Sequence, residues 1–192
     1  MKRLFFVLLA TVVAFPLWAD TPKKWNFTLN DDGDCVINVS YPTSKTAAEA
    51  MKAVKVTINK QKLESRQIIN EVEGRELVID IKRNTKTRYN PFAGNFNESM
   101  QLRIVVTASD GLVSLEMKNF VLEHIYSGYG QNQSSDTFVS KIAEYEEALS
   151  LAKSGKGKEK KEALNTIEDI NDSLNLCQEE LDKILKQIES AL

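Results

Sequence analysis

The sequence predicts an α+β fold: a curved, largely antiparallel sheet with helices on one face, in the order β-α-β4-α, then a C-terminal helical hairpin. Three observations carry this expectation. Period-two apolar alternation recurs between Trp25 and Leu122, the mark of half-buried strands. A single helical stripe interrupts it early, at Ala47, Met51, Val54 and Ile58. After Asp136 the period lengthens to alternating steps of four and three residues, which places apolar side chains on one face of a helix.

The first nineteen residues read as a secretory signal. Lys2 and Arg3 precede an apolar run from Leu4 to Trp18, and Ala19 offers a small residue for cleavage. The run falls short of the ~20 residues needed to span a bilayer, and no later stretch approaches that length. Losing Lys2 and Arg3 with this segment moves the formal net charge from −2 to −4. An acidic chain has no general attraction for nucleic acid, which requires a basic face. The remaining chain divides into a sheet domain over 20–130 and a helical hairpin over 131–192.

Trp25, Phe27 and Leu29 alternate with polar residues, as do Cys35, Ile37, Val39 and Tyr41 beyond an Asp31-Asp32-Gly33-Asp34 turn, so the two runs are expected to form a hairpin. Pro42 ends the second strand. Thr46 and Glu49 have the spacing of a capping box and start the helix. Strands resume at Ile68, Ile69 and Val72, and Glu73-Gly74 turns the chain. Leu77, Ile79 and Ile81 then share a face, followed by Met100, Leu102, Ile104, Val106 and Ala108. Asp110-Gly111 marks a tight hairpin, answered by Val113, Leu115 and Met117. The phase then passes to Phe120, Leu122 and His124, which predicts a one-residue bulge near Lys118 or Asn119.

Ser134, Ser135 and Asp136 offer N-caps for a helix over 137–153, stopped by Gly155. A second helix over 160–192 carries Ala163, Ile167, Ile170, Leu174, Cys177, Leu181, Ile184, Ile188 and Ala191 as a heptad seam. Two readings of the seam stay open. It packs on the sheet or the preceding helix, or it pairs copies of the chain as a coiled coil through residues 163–191.

The segment Tyr41-Pro42-Thr43-Ser44-Lys45-Thr46-Ala47-Ala48-Glu49-Ala50-Met51, leading from strand to helix, and the hairpin strands after it resemble a bacterial family of domains of unknown function. That family has a TATA-box-binding-protein-like (TBP-like) fold. The resemblance spans about residues 34–130 and implies an exported protein without assigned activity. The 24–29 strand and the second tail helix stand as additions to it.

Chemistry-bearing motifs are sparse. One His and two separated Cys do not supply the clustered ligands of a zinc site, and no cofactor is expected. There is no G-x-S-x-G, no phosphate-binding glycine loop and no H-E-x-x-H. His124 reads as an ordinary structural or exposed histidine. Cys35 and Cys177 both lie on apolar stripes and read either as two buried thiols or as a long-range disulfide.

The most suggestive region is a connection of about 16 residues from Asn84 to Ser99, longer than a usual hairpin loop. Its aromatic residues Tyr89, Phe92 and Phe96, with Tyr126 and Tyr129 from a second Gly-containing stretch, form a candidate contact surface. The other reading is that Phe92 and Phe96 tuck under the loop and seal the core. The resulting expectation is an exported, non-enzymatic binding or adaptor domain of the bacterial cell envelope, with an envelope protein or glycan as partner. The alternatives are a structural protein assembling through the tail seam and, behind it, an envelope hydrolase.

Overall fold

A computed structural model describes residues 22–90, 94–128 and 130–192. The predicted signal segment, Phe92 and Tyr129 lie outside the described residues. Among the described residues, six strands and three helices follow in chain order: β1 (Ile37–Pro42), α1 (Ala47–Lys60), β2 (Ser65–Val72), β3 (Glu76–Asn90), β4 (Gly94–Ser109), β5 (Leu112–Gly128), β6 (Gly130–Thr137), α2 (Phe138–Ser154) and α3 (Gly157–Ala191). The predicted α+β class with a largely antiparallel sheet and a C-terminal helical hairpin is the observed one. Among the described residues, no helix is long and apolar enough to cross a membrane.

Among the described residues, all strand pairs are antiparallel. The order is β1-β5-β4-β3-β2, and β6 also pairs with β5. One strand serves two neighbours because β5 is long: residues 112–117 meet β1 and residues 121–128 meet β6. Leu77, Ile79 and Ile81 of β3, Met100 to Val106 at alternate positions of β4, and Val113, Leu115 and Met117 of β5 are buried in one core with the three helices.

Helix α1 begins as its sequence dictates. The Thr46 hydroxyl accepts from the Glu49 N–H, and the Glu49 carboxylate accepts from the Thr46 N–H. The Asp110 carboxylate, from the β4–β5 turn, accepts from the Ala47 N–H and satisfies another donor of the first turn. Only Gly111 of that turn has positive φ (86°).

The predicted bulge in β5 is present. Gln101 pairs with Val121 and Arg103 with Lys118, so β5 spends one residue more than β4 across this step. Asn119 sits at its centre with φ 57°, a left-handed conformation that Asn tolerates better than most residues. The bulge moves the buried face from Val113, Leu115 and Met117 to Phe120 and Leu122. Asn119→Val is expected to cost about 1–2 kcal/mol, because a β-branched residue is strained at positive φ, while Asn119→Gly stays near wild type. Thermal melts of the two variants check this.

Several sequence expectations are corrected. Trp25 to Leu29 is not a strand paired with β1; among the described residues this stretch makes one isolated bridge, Leu29 to Cys35. It is an extended strap held by α3. The Asn175 side-chain oxygen accepts from the N–H groups of Lys24 (2.8 Å) and Trp25 (3.1 Å), and its amide nitrogen donates to the Pro22 carbonyl. Gln178 accepts from the Asn26 N–H, and Asn171 accepts from the Trp25 indole. An extended strap on an apolar surface alternates as a strand does, which explains the misreading.

The expected loop from Asn84 to Ser99 is also absent. β3 runs on to Asn90 and β4 starts at Gly94, so the two strands continue as one long hairpin. Likewise β5 runs past Leu122 to Gly128, and Ser134, Ser135 and Asp136 lie in β6 instead of capping α2. The cap is Thr137, whose hydroxyl accepts from the Ser140 N–H at 3.1 Å.

The tail seam packs within the chain. Ala163, Ile170, Leu174, Cys177, Leu181, Ile184 and Ile188 of α3 are buried, six of them in the same core as the sheet. Joining copies through residues 163–191 would need side chains that are already covered. The end of α3 is fastened by Lys45, whose ammonium donates to the carbonyls of Ala191 and Leu192, and by the Thr43 hydroxyl, which donates to Leu192.

Candidate ligand cleft

The long hairpins carry the sheet beyond the apolar core, and two bulges decide which side chains face the helices there. The first is the bulge at Asn119, which turns His124 and Tyr126 to the helix-facing side. The second lies in β3. Asn84 pairs with Ser99 and Lys86 with Glu98, leaving Thr85 as the extra residue. It reverses the phase of β3, so that Lys86 and Arg88 take the face held earlier by Leu77, Ile79 and Ile81. β4 has no insertion on its own strand, and counting back by twos from Met100 gives Glu98 and Phe96.

The register then builds two rows across four strands: Lys86, Glu98, His124 and Ser134, and outside it Arg88, Phe96, Tyr126 and Asn132. Facing them is the N-terminal half of α3, with Thr166, Asp169 and Ser173 on one side of the helix. Between sheet and helix lies a cavity of about 450 Å3 bounded by Phe96, Glu98, His124, Tyr126, Asp169 and Ser173, among others. A smaller cavity of about 210 Å3 continues inward past His124 toward Lys141 and Glu144.

Glu98 anchors the site. It is 1% exposed, and a buried carboxylate is costly unless its oxygens are hydrogen-bonded. The Ser173 hydroxyl donates to one oxygen at 2.8 Å. The Thr85 hydroxyl, placed by its bulge, approaches the other at 3.3 Å and the Glu98 carbonyl at 3.1 Å. His124 Nδ1 lies 3.5 Å from the carboxylate, and Nε2 lies 3.8 Å from Asp136. Asp136 is in turn 3.2 Å from the Lys141 ammonium, which also reaches Glu144 at 2.9 Å. Burial disfavours the charged Lys141, yet its hydrogen bonds to Glu144 and Asp136 outweigh that and hold its pKa above the usual value. At the outer rim the Asp172 carboxylate lies 3.3 Å from Lys86 and 3.5 Å from Arg88.

Two of the candidate aromatics meet here. The Phe96 ring stacks on His124 with centroids 5.8 Å apart and contacts Tyr126 at 4.8 Å. Tyr126 remains 50% exposed. Tyr89, by contrast, pairs with Asn95 on the other face and is 75% exposed, so it does not join them. His124 is a wall of the cleft. Glu98, Lys86, Arg88, Asp169 and Ser173 went unnoticed in the sequence. The signal for Glu98 was its phase with Met100, hidden by reading this stretch as loop.

The opposite face of the sheet carries a separate ionic cluster. Lys82 bonds Glu123 and lies 3.5 Å from Glu64. Burial alone would raise the Glu123 carboxyl, but the Lys82 ammonium and bonds from Gln133 and Gln101 hold it below its ordinary pKa.

Cys35 and Cys177 are both buried and both free. Burial pushes the Cys35 thiol up to about 11, and burial and the nearby Glu98 charge hold the Cys177 thiol well above its ordinary value. Both are therefore inert as nucleophiles. Titration of the unfolded, unreduced protein is expected to count two thiols per chain; none would show that they pair.

No family model matches the chain, and no curated protein matches it. Among solved structures, it is similar to a DUF4468 family protein from Bacteroides ovatus ATCC 8483, with a TM-score of 0.55 at 10% identity over 86% of this chain and 89% of that one. A TBP-like protein from Parabacteroides distasonis ATCC 8503 aligns with a TM-score of 0.48 at 13% identity, over 85% of this chain and 97% of that one. The expected resemblance to a bacterial family of domains of unknown function is met at the level of fold by the first of these, over more of the chain than residues 34–130.

Proposed function

We propose that the protein is an exported, non-enzymatic binding domain of the bacterial cell envelope that holds its ligand between the outer end of the sheet and α3. The observation that carries this reading is the partly buried Phe96 beside the half-exposed Tyr126, set next to fixed polar groups in a cleft of about 450 Å3, a size usual for ligand sites. Export rests on the basic, apolar and small-residue pattern of residues 1–19.

A hydrolase is the reading that the Glu98–His124 pair would favour. Nucleophilic catalysis needs a base aimed at a nucleophile and a carboxylate behind the base. Here the Ser173 hydroxyl donates to Glu98 itself, and each His124 nitrogen has a carboxylate within 4 Å. The groups are spent on one another, which suits a rigid wall better than a reaction.

NMR shift mapping of the chain from Asp20 against separate sets of oligosaccharides, peptides and lipid bicelles tests the reading. Saturable changes at Phe96, His124, Tyr126 and Ser173, without conversion of any probe, are expected. Turnover of a probe, or changes confined to the opposite face near Lys82 and Arg103, would contradict it.

A further inference from the structure

We infer that the cleft takes an uncharged pyranose unit of a glycan, an inference that rests on the binding reading above and names the ligand class. The two walls differ in chemistry. The sheet wall presents the rings of Phe96 and Tyr126. The α3 wall presents Thr166, Asp169 and Ser173, three side chains that end in oxygen, at i, i+3 and i+7 on one helix face. A pyranose has the matching asymmetry: an apolar face of C–H groups that packs on an aromatic ring, and a rim of hydroxyls that both donate and accept.

Charge balance decides against the charged alternatives. The two cavities together are lined by Lys86, Arg88 and Lys141 against Glu98, Glu144 and Asp169. Most of these are already matched. Lys86 and Arg88 share Asp172, Lys141 lies between Asp136 and Glu144, and Glu98 takes hydroxyl donors. An anionic ligand would meet Asp169 and Glu98 with the cations engaged elsewhere. A cationic ligand would enjoy the rings, but of the lining carboxylates Glu98 already takes hydroxyl donors and Glu144 already holds Lys141, which leaves it Asp169 alone. A neutral polyol faces neither penalty and can use the Asp169 carboxylate, for which no ion pair occurs among the described residues, as a bidentate acceptor for adjacent hydroxyls.

The geometry also assigns a positioning role to Glu98. It accepts from the Ser173 hydroxyl on one wall and lies 3.5 Å from His124 Nδ1 on the other, where the Phe96 ring stacks on His124. The sugar face would rest on Tyr126 and Phe96, and its hydroxyl rim would turn to α3.

The test is titration calorimetry and shift mapping of the chain from Asp20 with four probe sets: neutral gluco-, manno-, xylo- and chito-oligosaccharides, oligouronates, tetramethylammonium and lysine-rich peptides, and extended neutral peptides. At least one neutral oligosaccharide is expected to bind with shifts at Phe96, His124, Tyr126 and Ser173. Tyr126→Ala should weaken it tenfold or more, and Asp169→Asn severalfold. Tyr126 is half exposed and Asp169 exposed, and unchanged melting temperatures confirm that the variants fold. Cleft shifts with oligouronates, ammonium probes or peptides but not with neutral sugars would overturn the ligand class and leave the binding site standing. Cleft shifts with none of the probes would overturn both. Sugar binding that both variants retain at full strength would place the sugar elsewhere and also overturn the inference.

Discussion

Ending the chain after Ser154 is expected to abolish the folded state. The cut removes α3 and with it Ile170, Leu174, Cys177, Leu181, Ile184 and Ile188, each no more than 4% exposed. At about 1.5–3 kcal/mol per buried apolar side chain, these six contribute roughly 9–18 kcal/mol. A domain of this size is held by a net of about 5–15 kcal/mol. The loss is therefore as large as the whole margin, before counting the strap that loses its amide ladder. The shortened chain should appear in the insoluble fraction and, if recovered, bind hydrophobic dye without a cooperative melt. A soluble, cooperatively folded product would show instead that α3 is an appendage.

Trp25→Ala is expected to give the largest loss of any single substitution in the strap. Trp25 is 3% exposed, meets Tyr145 edge-on at 5.1 Å and Phe27 at 6.4 Å, and carries the Lys23 ammonium over its outer face at 3.7 Å. Truncation leaves a cavity and removes the indole donor to the Asn171 side-chain oxygen. Such Trp→Ala changes cost about 3–5 kcal/mol, a fall of roughly 6–20 °C in melting temperature for a chain of this length. Asn175→Ala should cost less, about 1–3 kcal/mol, by leaving the Lys24 and Trp25 N–H groups without their shared acceptor. A melting temperature for Trp25→Ala within two degrees of wild type would mean that the strap is not docked. Once residues 1–19 are removed, Trp25 is the sole tryptophan, so its fluorescence reports the strap directly.

Regular elements with an apolar period were legible residue by residue. The Thr46–Glu49 capping box, the alternation through Met100–Val106 and even the phase slip at Asn119 were readable, because burial on one face imposes a period that chemistry can recognise. The outer sheet was not. From Asn84 to Tyr89 the chain is polar on both faces, since one side meets solvent and the other a polar cleft, so alternation carries no hydrophobic signal. The Thr85 bulge adds a phase slip that no apolar residue marks. The strap failed for the opposite reason. Trp25 and Phe27 gave a clear period, but the acceptors that the strap's N–H groups needed came from Asn171, Asn175 and Gln178, about 150 residues later, and polar positions beside a heptad seam read as solvated. Glu98 and Ser173 likewise meet only in three dimensions.

A crystal structure of the chain from Asp20 with its tightest-binding oligosaccharide tests the account most directly. Density for a sugar ring is expected against Tyr126 and Phe96, with hydroxyls within hydrogen-bond distance of Asp169 or Ser173 and Glu98 still beside His124. A sugar lying on the opposite face of the sheet, or a cleft closed by its own side chains in the complex, would contradict it.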